Sequence, residues 1–354
     1  MSKEHIYTTD GRVRHLSQNE DVNTKLARII GEKFIKYREK WNAANKFELE
    51  TEFPLFLQLD LNQSCNFKCV HCMQRYPKYF KKYYRDQKPL SWQRYQRIIL
   101  ESEEYNCPSL TLCGINEPLL IPDFEEYIKY AHKHGFIDIM INTNAALLTE
   151  ERSRSILDCG LTRLRFSLDA ASPESYAKIR GRNDYGQTIK NIERFLQLKE
   201  AGGYELPITG ANFCKLSLNE YEANKFIEFW KNKVDMATIQ TFAPLVPEDE
   251  LNGLYPTDQF GKKERLEQFK CAQPFQRVII RSYEVYPCCF FDAGLKIGDL
   301  KTDTIYRAWH SGKMNTIREL QRTGQYKKNK ICKVCANLFF PQKRTINKRR
   351  EVKL

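Results

Sequence analysis

The sequence predicts an α/β chain: a partial parallel barrel of six β/α units followed by a small cysteine-rich C-terminal domain. Six short apolar runs alternate with helix-like segments, which implies right-handed βαβ units and a parallel sheet. Six runs fall short of the eight of a closed barrel. After Pro247 the alternation stops and cysteines gather between Cys271 and Cys335. The expected division is an N-terminal extension at 1–52, the barrel at 53–246, a linker at 247–270, the cysteine-rich domain at 271–340 and a basic tail at 341–354.

In chain order, NTKLARIIGEKFIKYREKW in the polar extension has the pattern of an amphipathic helix. FPLFLQLDL is a run of strand length, followed by a cysteine loop and the helical stretch SWQRYQRIILESEEY. The strand runs SLTLCGI, IDIMINTN, RLRFSLDA, LPITGANFCKL and MATIQTF follow, with helical segments between them. Ser91, Thr149, Ser172 and Asn219 are the expected N-caps, and Gly135 and Gly160 the expected helix ends. PEDELNGLYPTDQFGKKE reads as a linker. In parallel α/β sheets function collects at the carboxyl ends of the strands, where the cysteine loop lies.

The 354 residues carry a formal charge of +13 and twelve cysteines. There is no apolar run of transmembrane length and no signal-peptide centre, so the expectation is a cytoplasmic protein with no membrane partner. In that compartment cysteines are metal ligands or buried thiols rather than disulfides. The charge suits nucleic acid, anionic lipid or phosphorylated small molecules.

Cys65, Cys69 and Cys72 stand at C-x3-C-x2-C. A structural zinc site takes four protein ligands, as does an ordinary cubane cluster. Three thiolates hold three irons of a [4Fe–4S] cubane and leave the fourth open. The alternative recruits a distant cysteine.

This loop after the first barrel strand resembles the radical S-adenosylmethionine (SAM) superfamily. GINEPLL (Gly114–Leu120) resembles the family's Gly-Gly-Glu-Pro segment, TNA (Thr143–Ala145) its Thr-Asn-Gly, and SLDA (Ser167–Ala170) its Ser-Leu-Asp-Gly; IRG follows at Ile179–Gly181. The resemblance covers about residues 53–340. It implies that SAM chelates the open iron and is cleaved reductively to a 5′-deoxyadenosyl radical that abstracts hydrogen from substrate. It implies Cys65, Cys69 and Cys72 as cluster ligands, and His71, Glu117, Asn144, Ser167 and Arg180 as SAM contacts. Glu117 accepts from the SAM amino group, as a carboxylate suits that donor. It also implies an external low-potential electron donor such as flavodoxin or ferredoxin. Asn116 and Ala145 replace family glycines; Asn116 is expected to tolerate a positive φ.

Cys271, Cys288, Cys289, Cys332 and Cys335 form a second set, read as a pair on a turn and ligands from a hairpin. Zinc and [4Fe–4S] both accept four thiolates. CAQPFQRVIIRSYEVYPCC, KIGDL, AWHSGKM and CKVC resemble the SPASM domain, in a form with cysteines for one auxiliary [4Fe–4S] cluster. The resemblance implies Cys271, Cys288, Cys332 and Cys335 as ligands, for two clusters in all. Tyr283 replaces the family's glycine before the hairpin. Strand alternation would then turn Cys289 away from the cluster, making it the candidate hydrogen-atom donor. Cys107, Cys113, Cys159 and Cys214 read as small buried hydrophobes.

RYPKYFKKYYR (Arg75–Arg85) interleaves basic and aromatic residues in a loop bordering the substrate, which suits phosphate and sugar or base. The expected activity is dehydrogenation or epimerisation of a small, anionic, sugar-like or nucleotide-linked substrate. A peptide- or protein-modifying maturase is the alternative, although the N-terminal fifty residues are short for a peptide-recognition domain. A zinc-dependent nucleic-acid-binding protein explains none of the strand-end motifs, which argues against a nucleic-acid partner.

Overall fold

The structure is a computed structural model describing residues 20–84, 88–244, 249–259, 266–290 and 293–341, with residues 5–9 and 13–17 as backbone. The predicted basic tail lies outside the described residues apart from Pro341, as does Arg85.

All six expected barrel strands form: β3 (Phe56–Asp60), β4 (Ser109–Thr111), β5 (Asp138–Thr143), β6 (Arg163–Ser167), β7 (Ile208–Lys215) and β8 (Met236–Thr241). Each is parallel to the next. Their outer faces are Leu57, Leu59, Leu110, Ile139, Ile141, Leu164, Phe166, Ala211 and Phe213, all buried in one core with helix residues such as Ile128, Ile156 and Ile192. Each large side chain so buried contributes about 1.5–3 kcal/mol. The opposite, lumen-facing positions are mixed: register places Gln58 beside Thr111 and Asn142 beside Arg165, while Phe56, Met140, Ile208 and Met236 lie on the same face. Both faces of a packed parallel sheet are apolar. Here one face carries Gln58, Thr111, Asn142 and Arg165 among apolar residues, so the strands alternate in part.

The sheet extends at both edges. β1 (His5–Thr9) and β2 (Val13–Ser17) form a hairpin, and β2 pairs antiparallel with β8. The sequence reading placed no strands there. On the other edge β9 (Arg277–Arg281) runs parallel to β3, followed by antiparallel β10 (Glu284–Tyr286) and β11 (Gly298–Asp299). The order among the described residues is β1-β2-β8-β7-β6-β5-β4-β3-β9-β10-β11.

Ser91, Thr149 and Ser172 cap α4 (Trp92–Glu104), α6 (Glu150–Leu157) and α7 (Pro173–Arg180), each accepting from a backbone N–H three residues on. Gly135 and Gly160 follow helix ends with φ of 91° and 86°. Four local expectations are corrected. The N-terminal amphipathic helix is two, α1 (Val22–Ile30) and α2 (Glu32–Asn45), broken at Gly31 with φ 82°. Asn219 caps no α-helix; its amide bonds Leu216 N, Asp169 O and Cys214 O, and α9 begins at Ala223. The basic aromatic loop contains a helix, α3 (Pro77–Tyr84), because proline suits a first helical position. The expected linker is packed where described: Leu251, Leu254 and Tyr255 are buried with Val70, Met73 and Ile179. Its apolar residues cover the cysteine loop. No helix among the described residues is long and apolar enough to cross a membrane.

Candidate active site

The chain leaves β3 at Asp60 and runs irregularly through the three cysteines to Met73. Irregular backbone needs partners for its polar groups, and the later motif loops supply them. Glu117 N donates to Ser64 O at 2.9 Å and Val70 N to Ile179 O at 2.9 Å. Asn144 Nδ2 donates to Asn66 Oδ1 at 2.7 Å. Gln74 Nε2 reaches Gln63 O and Ile115 O. Gly181, with φ 71°, lets IRG approach closely: a Cβ there would lie 3.4 Å from Lys68 O. Each motif loop thus holds the cysteine loop directly. Burial pushes the Cys69 thiol up to about 11 and, with the neighbouring thiols, Cys72 up to about 12.

Glu117 is buried. Its carboxylate accepts from Thr143 Oγ1 (2.7 Å), Asn144 N (2.7 Å) and Leu119 N (3.1 Å). Burial still raises its pKa against those donors. Three bonds leave room on Oε2 for one more donor. Asn116, expected at positive φ, does not adopt it; Ala145 does, at φ 60°, held by Ala145 N to Thr143 Oγ1 and Asn191 Nδ2 to Ala145 O. The left-handed strain sits in the TNA turn, where the missing glycine is felt.

Ser167 ends β6 on the lumen face. Two residues on, Asp169 (φ 59°) accepts from Arg180 Nη1 at 2.8 Å and Cys214 N at 2.7 Å. His71 Nε2 stands 3.7 Å from the same carboxylate. Burial lowers the His71 pKa, with Asp169 opposing. Asp169 was quoted in SLDA but given no role; its place as the shared partner of Arg180 and His71 has no spacing signature.

Among the described residues, His71 Nδ1 and Arg180 Nε are buried without a hydrogen-bond partner. Such groups are costly unless something satisfies them, and with Glu117 they offer the donors and acceptors a SAM molecule needs. Among the described residues no three His, Cys, Asp or Glu side chains converge as on one metal ion. A cubane does not need that convergence, because each thiolate takes a different iron.

The second cysteine set also comes together. Cys271, Cys288, Cys289, Cys332 and Cys335 line one cavity walled by apolar residues including Phe290 and Phe339. Burial and the neighbouring thiols push Cys288 and Cys335 well up. Metal ligation relieves such an array by taking the thiolates. Two expectations change here. Cys332 and Cys335 lie on a helix, Lys330–Phe339, one turn apart, its end capped by Asn329. β10 ends at Tyr286, so strand alternation does not govern Cys288 and Cys289, and both thiols line the same cavity. Gln273 brackets Cys289, donating to Sγ at 3.7 Å and accepting from its N–H at 3.3 Å. In the turn before them Ser282 carries the positive φ of 56°, and the Arg94 guanidinium lies 3.1 Å from the Tyr283 ring centroid. Cys107, Cys113 and Cys159 are buried as expected, and Cys214 half-buried.

One further group joins the two sites. Asp60 accepts from Tyr84 OH and stands 3.6 Å from Arg281 Nε; Arg281 Nη2 reaches Cys289 O at 3.4 Å. Gly114 packs on this carboxylate, and a Cβ there would fall 2.0 Å from Asp60 Oδ1.

A family model described as the radical SAM superfamily matches residues 61–203, and one described as the SPASM iron–sulfur-cluster-binding domain matches 271–336. A GTP 3′,8-cyclase of Sulfurovum sp. (strain NBC37-1) is 28% identical over 194 residues, covering 50% of this chain and 56% of that one. The chain spans about half the length of curated relatives it matches. Among solved structures, BtrN in complex with AdoMet and 2-DOIA aligns with TM-score 0.51 at 14% identity, covering 80% of this chain and 93% of that one. Streptococcus suis SuiB bound to precursor peptide SuiA aligns with TM-score 0.55 at 14% identity, covering 81% and 71%. These likenesses are of fold. The two domain matches imply SAM and [4Fe–4S] clusters as cofactors. The cysteine loop held by the strand-end motifs lies in the part of the chain that matches the radical SAM superfamily, and the second cysteine set in the part that matches the SPASM domain.

Proposed function

We propose that this enzyme dehydrogenates or epimerises a small, anionic, sugar-like or nucleotide-linked molecule. Cys65, Cys69 and Cys72 would hold a [4Fe–4S] cluster with SAM on its open iron, and one electron from the reduced cluster would split SAM into methionine and a 5′-deoxyadenosyl group able to take a hydrogen atom from substrate. Glu117 accepts from the SAM amino group through its remaining lone pair, and Arg180, steadied by Asp169, meets the carboxylate beside Ser167. His71 packs against the adenine, and Asn144 ties this end of the site to the cysteine loop through Asn66. Leu251, Leu254 and Tyr255 shield the cysteine loop from water. Four of Cys271, Cys288, Cys289, Cys332 and Cys335 hold the auxiliary cluster, with Cys271, Cys288, Cys332 and Cys335 preferred. An external low-potential donor reduces the enzyme.

The single observation carrying this reading is the convergence of Glu117, Asp169–Arg180 and the cysteine loop at the carboxyl ends of the strands. The polar side chains among the lumen-facing positions and the basic, aromatic α3 support a small anion over a peptide. The test is anaerobic turnover with SAM and dithionite on phosphorylated and nucleotide-linked sugars, with peptides in parallel, in deuterated water. A two-electron-oxidised sugar, or an epimer carrying one solvent deuterium, supports the reading. Turnover of peptides alone contradicts it.

A further inference from the structure

The two arginines that β6 turns into the lumen have different surroundings. Arg163 is held by both oxygens of Asp138, at 2.7 and 3.1 Å. Arg165, on the same face, has no hydrogen bond or ion pair among the described residues. It is half-buried, and burial with the like charge of Arg163 pulls its pKa down to about 10. The other charged pair of the lumen, Asp60 and Arg281, cancels. Among the described residues Arg165 is therefore left without a counter-ion, as is Arg277 on β9, whose guanidinium instead lies over the rings of Trp41 and Phe56.

On β7 no side chain meets Arg165 at its register position. Its register partner on β7 is Gly210, where a Cβ would come within 3.3 Å of Arg165 Cγ. One layer nearer the mouth, Asn212 lies in register with Ser167, and its Oδ1 is buried without a hydrogen-bond partner. An unpaired cation and an unsatisfied carbonyl on one wall both cost stability. Both are repaid by a ligand bearing an oxyanion and a hydroxyl.

We propose that Arg165 is the anion anchor of the substrate pocket, pairing with a carboxylate or phosphate while a substrate hydroxyl donates to Asn212. The planar guanidinium suits either oxyanion bidentately. Arg180 and Ser167, nearer the mouth, remain for SAM. This assignment rests on the reading that a small anionic molecule is the substrate, and it adds where and by which residue that molecule is recognised.

The test is calorimetric titration of the SAM-loaded, cluster-reconstituted protein, without reductant, with inorganic phosphate, D-glucuronate and neutral D-glucose. The wild type should bind phosphate or glucuronate saturably and ignore glucose; which anion binds tells phosphate from carboxylate. Arg165→Met should weaken that binding roughly tenfold or more, the loss of a charge-assisted bond. Arg165→Lys should keep most of it, and Arg182→Met, a surface control, all of it. Because an unpaired half-buried charge is removed, Arg165→Met should melt at or above the wild-type temperature. No saturable anion binding, equal affinity in Arg165→Met, equal binding of glucose, or a much lower melting point in that variant would overturn the assignment. The titration involves no turnover, so failed SAM cleavage would sink the functional reading and leave the anion result standing.

Discussion

Arg180 Nη1 meets Asp169 Oδ2 at 2.8 Å, with both side chains about 5% exposed. The pair joins the end of α7 to the turn after β6, and the same turn receives Cys214 N and the Asn219 amide. The end of α7 and β7 are thereby fixed on one carboxylate, and Asn219 on the carbonyl of the same residue. Removing that carboxylate with Asp169→Ala leaves a buried guanidinium unpaired and is expected to cost about 3–5 kcal/mol. Denaturant unfolding of the reconstituted protein measures this. Weaker SAM binding should accompany it; an unchanged unfolding midpoint would remove Asp169 from its central place.

Gly114→Ala drives a methyl into the Asp60 carboxylate, which Tyr84 and Arg281 hold in place. The expected loss is about 1–3 kcal/mol, the usual cost of overpacking. Gly186→Ala in α8 (Tyr185–Ala201) is the control: its Cβ meets nothing within 4 Å. There alanine should add roughly 0.5–1 kcal/mol through helix propensity. Thermal melts of the two variants should move in opposite directions.

Asp235 ties β8 to α1 and β7: it pairs with Lys25 at 2.7 Å and accepts from Thr209 N and Oγ1 at 2.8 Å each. Burial alone would raise its pKa, but Lys199, Lys25 and Thr209 outweigh that and lower it. A depressed folded pKa means the contribution is full above the unfolded value of about 3.9. It is lost as pH falls through the folded value. Asp235→Asn should therefore cost about 2 kcal/mol at pH 7, with the difference from wild type closing only below pH ~3.9. A difference that stays constant to that acid limit would contradict the assignment.

Cys288 and Cys289 share the auxiliary cavity, so only one is needed beside Cys271, Cys332 and Cys335. With Cys288 as the ligand, Cys288→Ser loses the auxiliary iron and Cys289→Ser keeps it. Iron analysis of the two proteins decides. Under the epimerase chemistry Cys289→Ala still releases 5′-deoxyadenosine but forms no epimer; under dehydrogenation it stays active. Loss of iron in Cys289→Ser alone would make Cys289 the ligand and end its candidacy as hydrogen donor.

The barrel strands were legible because their outer face is continuous in Leu, Ile and Phe, while Gly, Ser and Thr punctuate the helices. The loops that hold the cysteine loop were legible because short motifs fall at strand ends. Less was visible where tertiary pairing decides. The β1–β2 hairpin is polar and gains its place from the free edge of β8. Leu251 and Leu254 sit among turn residues, and only the surface offered by Val70 and Ile179 makes their burial favourable. Asp169, Gln74 and Asp60 act through contacts made across loops far apart in sequence, which no local spacing encodes. The Cys288–Cys289 alternation failed because a strand rule was applied two residues past the end of β10.

The central claim, SAM cleavage at a three-cysteine cluster beside a separate auxiliary cluster, is tested most directly by joint iron and 5′-deoxyadenosine measurements. They are made on anaerobically reconstituted wild type and on the variant with Cys65, Cys69 and Cys72 all changed to Ala. The wild type should hold about eight irons, four per cubane, and release 5′-deoxyadenosine with dithionite and SAM even without substrate. The variant should hold about four irons and release none. A variant that still cleaves SAM or loses all its iron, or a wild type with zinc in the second cysteine set, would contradict the account.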